Sequence, residues 1–188
     1  MKSLLKMIWM EAKLFLREPV GFFFTLVFPL LLLFLFGSIF GNKPNPMFGG
    51  QGTIDISIPT YTAMIIGTTG LMSTTITMAT YRENGILRRL RTTPVSPLIV
   101  LAAQVTVVFF MTALGMLLLV IAGKLVYHVR FEGNAFSVLG GFVLGSLSFF
   151  GIGFILAGTM PTARTAQTAG MVLLYPMVFL SAKTFRWE

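Results

Sequence analysis

The sequence predicts an all-α, polytopic membrane protein: a bundle of about five transmembrane helices preceded by an amphipathic helix at the membrane surface. Hydrophobic residues make up 55% of the 188-residue chain and charged residues only 11%, whereas soluble domains average about 25% charged residues. A soluble protein of this size cannot bury several helices that are apolar on every side. At about 20 residues per span, the chain has room for five or six membrane crossings.

Composition also narrows the classes of function. The net charge of +8 would suit a nucleic-acid partner, but in a membrane protein we assign it to loops facing anionic lipid, and we expect no nucleic-acid partner. The chain has no cysteine and a single histidine, His128, so we expect no metal site. No constellation of histidine, aspartate, glutamate or cysteine is present for catalysis, and we expect the chain not to be an enzyme.

The first segment, residues 1–19, predicts an amphipathic helix lying in the membrane surface. Its apolar residues recur every three or four positions, as on one face of a helix. They are Leu5, Ile8, Trp9, Ala12, Phe15 and Leu16, and the opposite face carries Lys2, Lys6, Lys13 and Arg17. Such a helix places its apolar face in the lipid and its basic face in water.

The remainder, residues 20–188, predicts a transmembrane domain. Its apolar runs place spans near residues 20–40, 58–80, 97–123, 135–160 and 166–181. Pro29 is expected to kink the first span. Ser96 followed by Pro97 is a good start signal for the third, and Gly141 with Gly145 forms a GxxxG pair suited to close helix contact.

The second span is rich in hydroxyl groups, with nine serine and threonine residues between positions 60 and 80. Two explanations remain open. Hydroxyl and small side chains let membrane helices approach and hydrogen-bond, or they form a polar wall along a substrate path. The candidates for a path are Thr68, Ser73, Thr74 and Thr77, together with Gln104, the one strongly polar residue of the third span.

A polar segment, residues 81–97 (YRENGILRRLRTTPVSP), separates the second and third spans and must lie in water. It holds Arg82, Arg88, Arg89 and Arg91. Ile86, Leu87 and Leu90 recur at helical spacing and Pro94 stops the helix, so we predict a short helix over residues 81–94. A basic loop that only fixes topology and a docking helix for a soluble partner both fit this pattern.

The run Arg82-Glu83-Asn84-Gly85-Ile86-Leu87-Arg88-Arg89-Leu90-Arg91-Thr92-Thr93-Pro94 resembles the first cytoplasmic loop of the ABC-2 family of ABC exporter membrane subunits. The resemblance extends to Arg17-Glu18-Pro19, where Glu18 replaces the commoner aspartate, and to Phe28-Pro29 and Phe36-Gly37. It continues at Ala163-Arg164-Thr165-Ala166-Gln167 and Phe179-Leu180-Ser181. It therefore covers nearly the whole chain up to Ser181.

The resemblance implies a permease subunit of an ATP-driven exporter in a bacterial or archaeal cell membrane. The loop would be a coupling helix that rests on a separate ATPase subunit, through Arg82, Glu83, Gly85, Leu87, Leu90 and Arg91. No GxxxxGK[ST] phosphate loop is present, so ATP is expected on the partner and no cofactor on this chain. The resemblance also implies a second copy of this or a related permease, within the lipid bilayer.

The basic residues favour a cytoplasmic amino terminus. In that orientation Lys2, Lys6, Lys13, Arg17, Arg82, Arg88, Arg89, Arg91 and Arg164 lie inside, nine of the fourteen basic residues. The outer side receives Lys43, Lys124, Arg130, Lys183 and Arg186. An inner excess of basic residues is typical of membrane proteins, and it places the polar segment where an ATPase would be.

Two other classes remain as alternatives. An ion-coupled secondary carrier usually needs ionisable groups at membrane depth, and the predicted spans contain no Asp, Glu, Lys or Arg. A non-transporting assembly protein is the other, because the family usually continues into a sixth span, whereas here Ala182 replaces the expected glycine and the sequence ends at Glu188. We therefore expect a chain truncated before its sixth transmembrane helix.

Overall fold

In a computed structural model of the chain, residues 2–43, 50–86, 89, 96–129 and 134–183 are described. These residues form six helices. The first is α1 (Lys2–Arg17). The second, α2, joins Pro19–Phe22, a π-helical turn Phe23–Val27 and Phe28–Phe40; the third, α3, joins Thr53–Thr68, a π-helical turn Thr69–Thr74 and Thr75–Glu83. The others are α4 (Pro97–Tyr127), α5 (Ala135–Thr159) and α6 (Ala163–Lys183). The predicted all-α helical bundle is confirmed.

Helix α3 is the centre of the bundle. It packs against α2, α4, α5 and α6, while α1 lies against α4. At one end of α3, Ile54, Ile58 and Ile65 join Leu33 of α2 and Leu119 of α4 in an apolar core cluster. At the other end, Met78 and Ala79 pack with Ala157 of α5 and Ala166 of α6. The hydroxyl-rich helix of the sequence is therefore the most enclosed one.

Pro29 changes α2 by widening the helix just before it. A proline has no N–H to donate to the carbonyl four residues earlier, which here is that of Thr25. The N–H of the residue before it, Phe28, bonds to the carbonyl of Phe23, five residues earlier, and this bond closes a π-helical turn. The Thr25 carbonyl lies so close to Gly115 of α4 that a Cβ atom there would approach it to 2.9 Å. The structure thus shows a wide turn before Pro29 that packs against α4, and the kink at Pro29 stays a prediction.

Glycine contacts join α3, α5 and α6 at the π-helical turn of α3. A Cβ atom on Gly153 of α5 would lie 2.1 Å from the Gly70 carbonyl oxygen, and one on Gly170 of α6 would lie 2.1 Å from that of Leu71. Among the described residues, the prediction of a close helix contact at Gly141 and Gly145 is wrong. No heavy atom of another described residue lies within 4 Å of the Gly141 Cβ position, and for Gly145 the nearest is Ile66 Cδ1 at 3.9 Å.

The end of the bundle that holds the α2–α3 connection is tied together by Asn42. Its Oδ1 accepts hydrogen bonds from the N–H groups of Ile54, at 3.1 Å, and Asp55, at 3.3 Å. Its Nδ2 donates to Asp55 Oδ1 and to the Tyr127 carbonyl, at 3.1 and 3.2 Å. These bonds satisfy the first N–H groups of α3 and fasten α3 to the end of α4.

Three helices among the described residues are long and apolar enough to cross a membrane: Phe23–Phe40, Leu98–Tyr127 and Phe136–Thr159. They correspond to the first, third and fourth predicted spans. The second and fifth predicted spans are also helices of the bundle, but they run further than predicted, over Thr53–Glu83 and Ala163–Lys183. A five-span topology stays a prediction.

Candidate functional site

At the end of the bundle where α1 lies, the last turn of α3 hydrogen-bonds to both α5 and α6. The Arg82 guanidinium donates to the Gly158 carbonyl at the end of α5, at 2.5 Å. Glu83 Oε2 accepts a 2.9 Å hydrogen bond from the Ala163 N–H at the start of α6. A carboxylate suits the first turn of a helix, whose N–H groups lack partners. The turn between α5 and α6 is thus held to α3 from both sides.

The structure corrects the predicted start of the cytoplasmic helix. Tyr81, Arg82 and Glu83 are the last turn of α3 and do not open a new helix. Asn84 leaves the helical conformation and Gly85 has φ of +68°, the left-handed conformation that commonly ends a helix at glycine. The Arg89 N–H then bonds to the Gly85 carbonyl at 3.0 Å.

Three of the six predicted coupling residues, Leu87, Leu90 and Arg91, lie outside the described residues. Of the other three, Arg82 and Glu83 contact the turn between α5 and α6. Gly85 follows them in the chain, and its N–H bonds to the Arg82 carbonyl at 3.1 Å. Their contact with an ATPase remains a prediction.

Helix α1 turns a partly acidic face toward the bundle. Glu11 is only 6% exposed and Phe15 is equally buried. The Tyr81 hydroxyl donates to the Glu11 carboxylate at 3.0 Å from Oε1 and 3.1 Å from Oε2. Of the predicted apolar stripe, Phe15 is buried against the bundle, whereas Trp9 is 74% exposed and Leu5 and Leu16 are also exposed. A helix in the membrane surface turns such apolar side chains toward lipid, so this placement stays a prediction, and the structure adds a buried acid, Glu11, on the face toward the bundle.

A cavity of about 240 Å³ lies between α1, α3 and α4. Its polar lining consists of the carboxyl groups of Glu11 and Glu18, the hydroxyl groups of Ser73, Thr77, Thr80 and Tyr81, and the amide of Gln104. Burial raises the pKa of Glu11, which the Tyr81 hydrogen bond partly offsets, and burial also raises the pKa of Glu18. The cavity is therefore a weakly solvated acidic environment.

Three of the five candidates for a polar path meet in this cavity: Ser73, Thr77 and Gln104. The other two bond to their own helix, Thr68 to the Met64 carbonyl at 2.9 Å and Thr74 to the Thr69 carbonyl at 2.9 Å. Other hydroxyl groups of α3 link helices, since Thr75 donates to the Gly153 carbonyl at 3.2 Å. Both explanations of the hydroxyl-rich helix therefore have residues that fit them.

Sequence reasoning missed Glu11 and Glu18 as residues that share a site. Helical spacing placed Glu11 between the basic residues of α1 and gave no reason to bury it. The one signal was the hydroxyl group of Tyr81, but the two residues are separated by 70 positions. Among the described residues, no group of three His, Cys, Asp or Glu side chains is placed to hold a metal ion.

Comparison with known families agrees with this architecture. The family model described as ABC-2 type transporter matches residues 2–183. No curated protein matches the chain, and no solved structure matches it. The match spans α1 through α6, including both the α1 cavity and the Arg82–Glu83 turn. The chain belongs to the ABC-2 type transporter family, as a membrane subunit.

Proposed function

We propose that this chain is the permease subunit of an ATP-driven exporter, and that residues 81–94 couple it to a separate ATPase subunit. The family match over residues 2–183 carries the proposal. The proposal adds to membership of the family the direction of transport, the source of energy and the point of coupling. The connections at the end of α3 bear on the last of these, the point of coupling.

The connections at the end of α3 suit a lever. A force on the polar segment first reaches Glu83 and Arg82, which hold the start of α6 and the end of α5. One residue earlier, Tyr81 holds α1 through Glu11. Since this turn holds α5 and α6 directly, its directed movement would be passed first to those two helices. An ATPase that pushed here would therefore shift α3, α5 and α6 relative to α1.

The proposal extends to the partner and the membrane. We expect two permease copies to work with two ATPase subunits in a bacterial or archaeal cell membrane, with the amino terminus in the cytoplasm. Coupling would use Arg82, Glu83, Gly85, Leu87, Leu90 and Arg91, and the substrate path would draw on Thr68, Ser73, Thr74, Thr77 and Gln104. ATP would be bound by the partner alone.

The first test is to purify the full chain from its native membranes with an affinity tag and to identify what accompanies it. We expect a nucleotide-binding subunit in stoichiometric amount, whose ATP hydrolysis changes when the permease is removed. A folded permease that leaves the membrane without any ATPase subunit would contradict the coupling. Transport that persists after ATP depletion under an imposed ion gradient would instead indicate a secondary carrier.

The second test separates docking from folding at Glu83. Glu83→Gln keeps an acceptor for the Ala163 N–H but removes the charge, whereas Glu83→Ala removes both. With either variant, we expect the complex of permease and ATPase to hydrolyse ATP but to transport less. Only Glu83→Ala should lower the unfolding free energy of the permease, by about 1 kcal/mol for a lost helix cap. Transport at the original rate in both variants would contradict a docking role for Glu83.

Gly85 offers a matched pair for the same question. Its φ of +68° suits glycine and is tolerated by asparagine, so Gly85→Asn should leave coupling intact. Gly85→Trp adds a bulky side chain at a position whose Cβ would meet no heavy atom of the described residues within 4 Å, but it also strains the backbone at this positive φ. A loss of coupling beyond that of Gly85→Asn, in a Gly85→Trp protein that unfolds at the same temperature as Gly85→Asn, therefore supports a surface that a partner covers.

A further inference from the structure

The cavity between α1, α3 and α4 contains a polar group that the protein itself leaves without a partner. Gln104 is 2% exposed, and neither its Nε2 nor its Oε1 makes a hydrogen bond in the described part of the chain. A buried amide without partners costs about 1–3 kcal/mol. A leucine would fill the same space at no such cost, so the amide indicates that something else satisfies it.

Apart from its hydroxyl groups, the rest of the lining is acidic and apolar. Glu11 and Glu18 bring two carboxyl groups from α1 and the link to α2, and no Lys, Arg or His is among the lining residues. The walls are formed by Phe15, Ile76 and Val108, among other apolar side chains. A site of this composition has acceptors for a positive charge and an apolar surface for the body that carries it.

The volume limits what enters. The cavity measures about 240 Å³, below the range of about 300–1,000 Å³ that is typical of sites for drug-sized ligands. An ammonium group has three N–H donors, and the carboxyl groups of Glu11 and Glu18 and the Gln104 carbonyl oxygen offer acceptors for them in the lining. The apolar walls leave room for a short alkyl or aryl group beside them.

We propose that this cavity binds a small primary ammonium compound, with its charge among Glu11, Glu18 and Gln104 and its apolar body against Phe15, Ile76 and Val108. A bound cation would also reverse the effect of burial on the two carboxyl groups, because an opposite charge lowers a carboxyl pKa. The site lies on the α1 side of α3. It requires no ATPase and does not depend on the proposed export function.

The test measures ligand-dependent stability of the full purified chain in detergent. A ligand that binds only the folded state stabilises it by an amount that grows with the logarithm of the ligand concentration once that concentration exceeds Kd. The probe is n-butylammonium, and n-butanol is the neutral control of similar shape. We expect the unfolding temperature to rise in this way with n-butylammonium and to stay unchanged with n-butanol.

Three variants define the site. Glu11→Gln with Glu18→Gln should weaken n-butylammonium binding at least about tenfold, because charge-assisted hydrogen bonds are the stronger ones. Gln104→Leu should fold at least as stably as the original chain but bind the probe several-fold more weakly. Glu83→Gln removes one negative charge outside the cavity and should bind the probe unchanged.

Several results would overturn the proposal. One is the absence of a shift with n-butylammonium in folded protein, which would indicate a cavity filled only by water. An equal shift with n-butanol would show an apolar site without charge recognition. An unchanged shift in Gln104→Leu, or an equal loss in Glu83→Gln, would place the probe somewhere else on the protein.

Discussion

The two sides of α3 are built in opposite ways. Toward α5 and α6 the backbones touch, because Gly70, Gly153 and Gly170 leave no room for even one Cβ atom. Toward α1 and α4 the same helix borders a cavity of about 240 Å³, where Gln104 has no partner and Glu11 depends on Tyr81. Both sides contain the same kinds of small and hydroxyl residue.

This difference separates a fixed contact from an adaptable one. Close-packed backbones transmit displacement, because well-packed interiors have little space to absorb it. A cavity lined by polar groups can exchange its contents and can change shape at lower cost. We therefore expect α3 to move together with α5 and α6, and to move relative to α1. Substitutions on the two sides of α3 should change the unfolding free energy by different amounts and in opposite directions.

The largest effect is expected at Gly153. Gly153→Leu forces a side chain against the Gly70 carbonyl, a backbone atom that cannot turn away. We expect a loss of about 3 kcal/mol or more, seen as a lower unfolding temperature or as loss of folded protein. The control is Gly151→Leu two residues earlier, where a Cβ atom meets nothing within 4 Å. Equal losses of stability in Gly153→Leu and Gly151→Leu would show that α3 is not tightly packed against α5.

The cavity side should respond with the opposite sign. Gln104→Leu removes two buried atoms without hydrogen-bond partners, and we expect a gain of about 1 kcal/mol in the unfolding free energy without ligand. The control is Thr112→Val on the same helix. The Thr112 hydroxyl bonds to the Val108 carbonyl at 2.7 Å, so its removal should destabilise. A loss of stability in Gln104→Leu would indicate that water already satisfies the amide.

A smaller effect is expected where a single side chain links α3 to α5. The Thr75 hydroxyl donates to the Gly153 carbonyl, and hydrogen bonds between membrane helices contribute about 0.6 kcal/mol on average. Thr75→Val should lower stability by roughly that amount. The comparison is Thr106→Val, because in the described structure the Thr106 hydroxyl bonds only to the Ala102 carbonyl of its own helix. A similar loss at both positions would remove the special role of the inter-helix bond.

The smallest effect is expected from pH, because the Tyr81 hydrogen bond partly offsets the effect of burial on the pKa of Glu11. Burial raises the pKa of Glu11 and of Glu18 above the ordinary value of 4.5. The folded chain then binds protons more readily than the unfolded one, so stability is highest below about 4.5 and falls as pH rises through the folded pKa values. Unfolding temperatures at pH 5 and pH 8 should show this slope. The double variant Glu11→Gln, Glu18→Gln should have a flatter profile, and an identical one would contradict the assignment.

Much of the bundle could be predicted from hydropathy and from helix punctuation. Helix α4, the third predicted span, begins at Pro97, as Ser96-Pro97 indicated. Helix α5, the fourth predicted span, begins beside Asn134, whose side chain accepts a hydrogen bond from the Phe136 N–H. The glycine contacts could not be predicted. The spacing of Gly141 and Gly145 is a local property, whereas the contact of Gly70 with Gly153 depends on how α3 and α5 are rotated. Rotation is decided by packing across the whole bundle.

The candidate site was predictable only in part. The sequence singled out the polar segment, Arg82 and Glu83, but it gave no reason to pair Glu83 with the Ala163 N–H eighty residues later. The apolar periodicity of α1 does not include Glu11, which lies between Lys6 and Lys13 in the sequence. Its burial follows from one distant hydroxyl group, that of Tyr81, and a pattern within α1 cannot contain that information.

The π-helical turn Thr69–Thr74 has a consequence for the segment of α3 that follows it, Thr75–Glu83. Such a turn holds one residue more than regular α-helical bonding requires, and one residue corresponds to about 100° of rotation around the axis at 3.6 residues per turn. The angular phase of Tyr81 and Glu83 is therefore set by a residue many positions upstream. Deleting one residue from this turn would point Tyr81 away from α1 and Glu83 away from α6 without altering either side chain. An insertion or deletion there would rewire both connections at once.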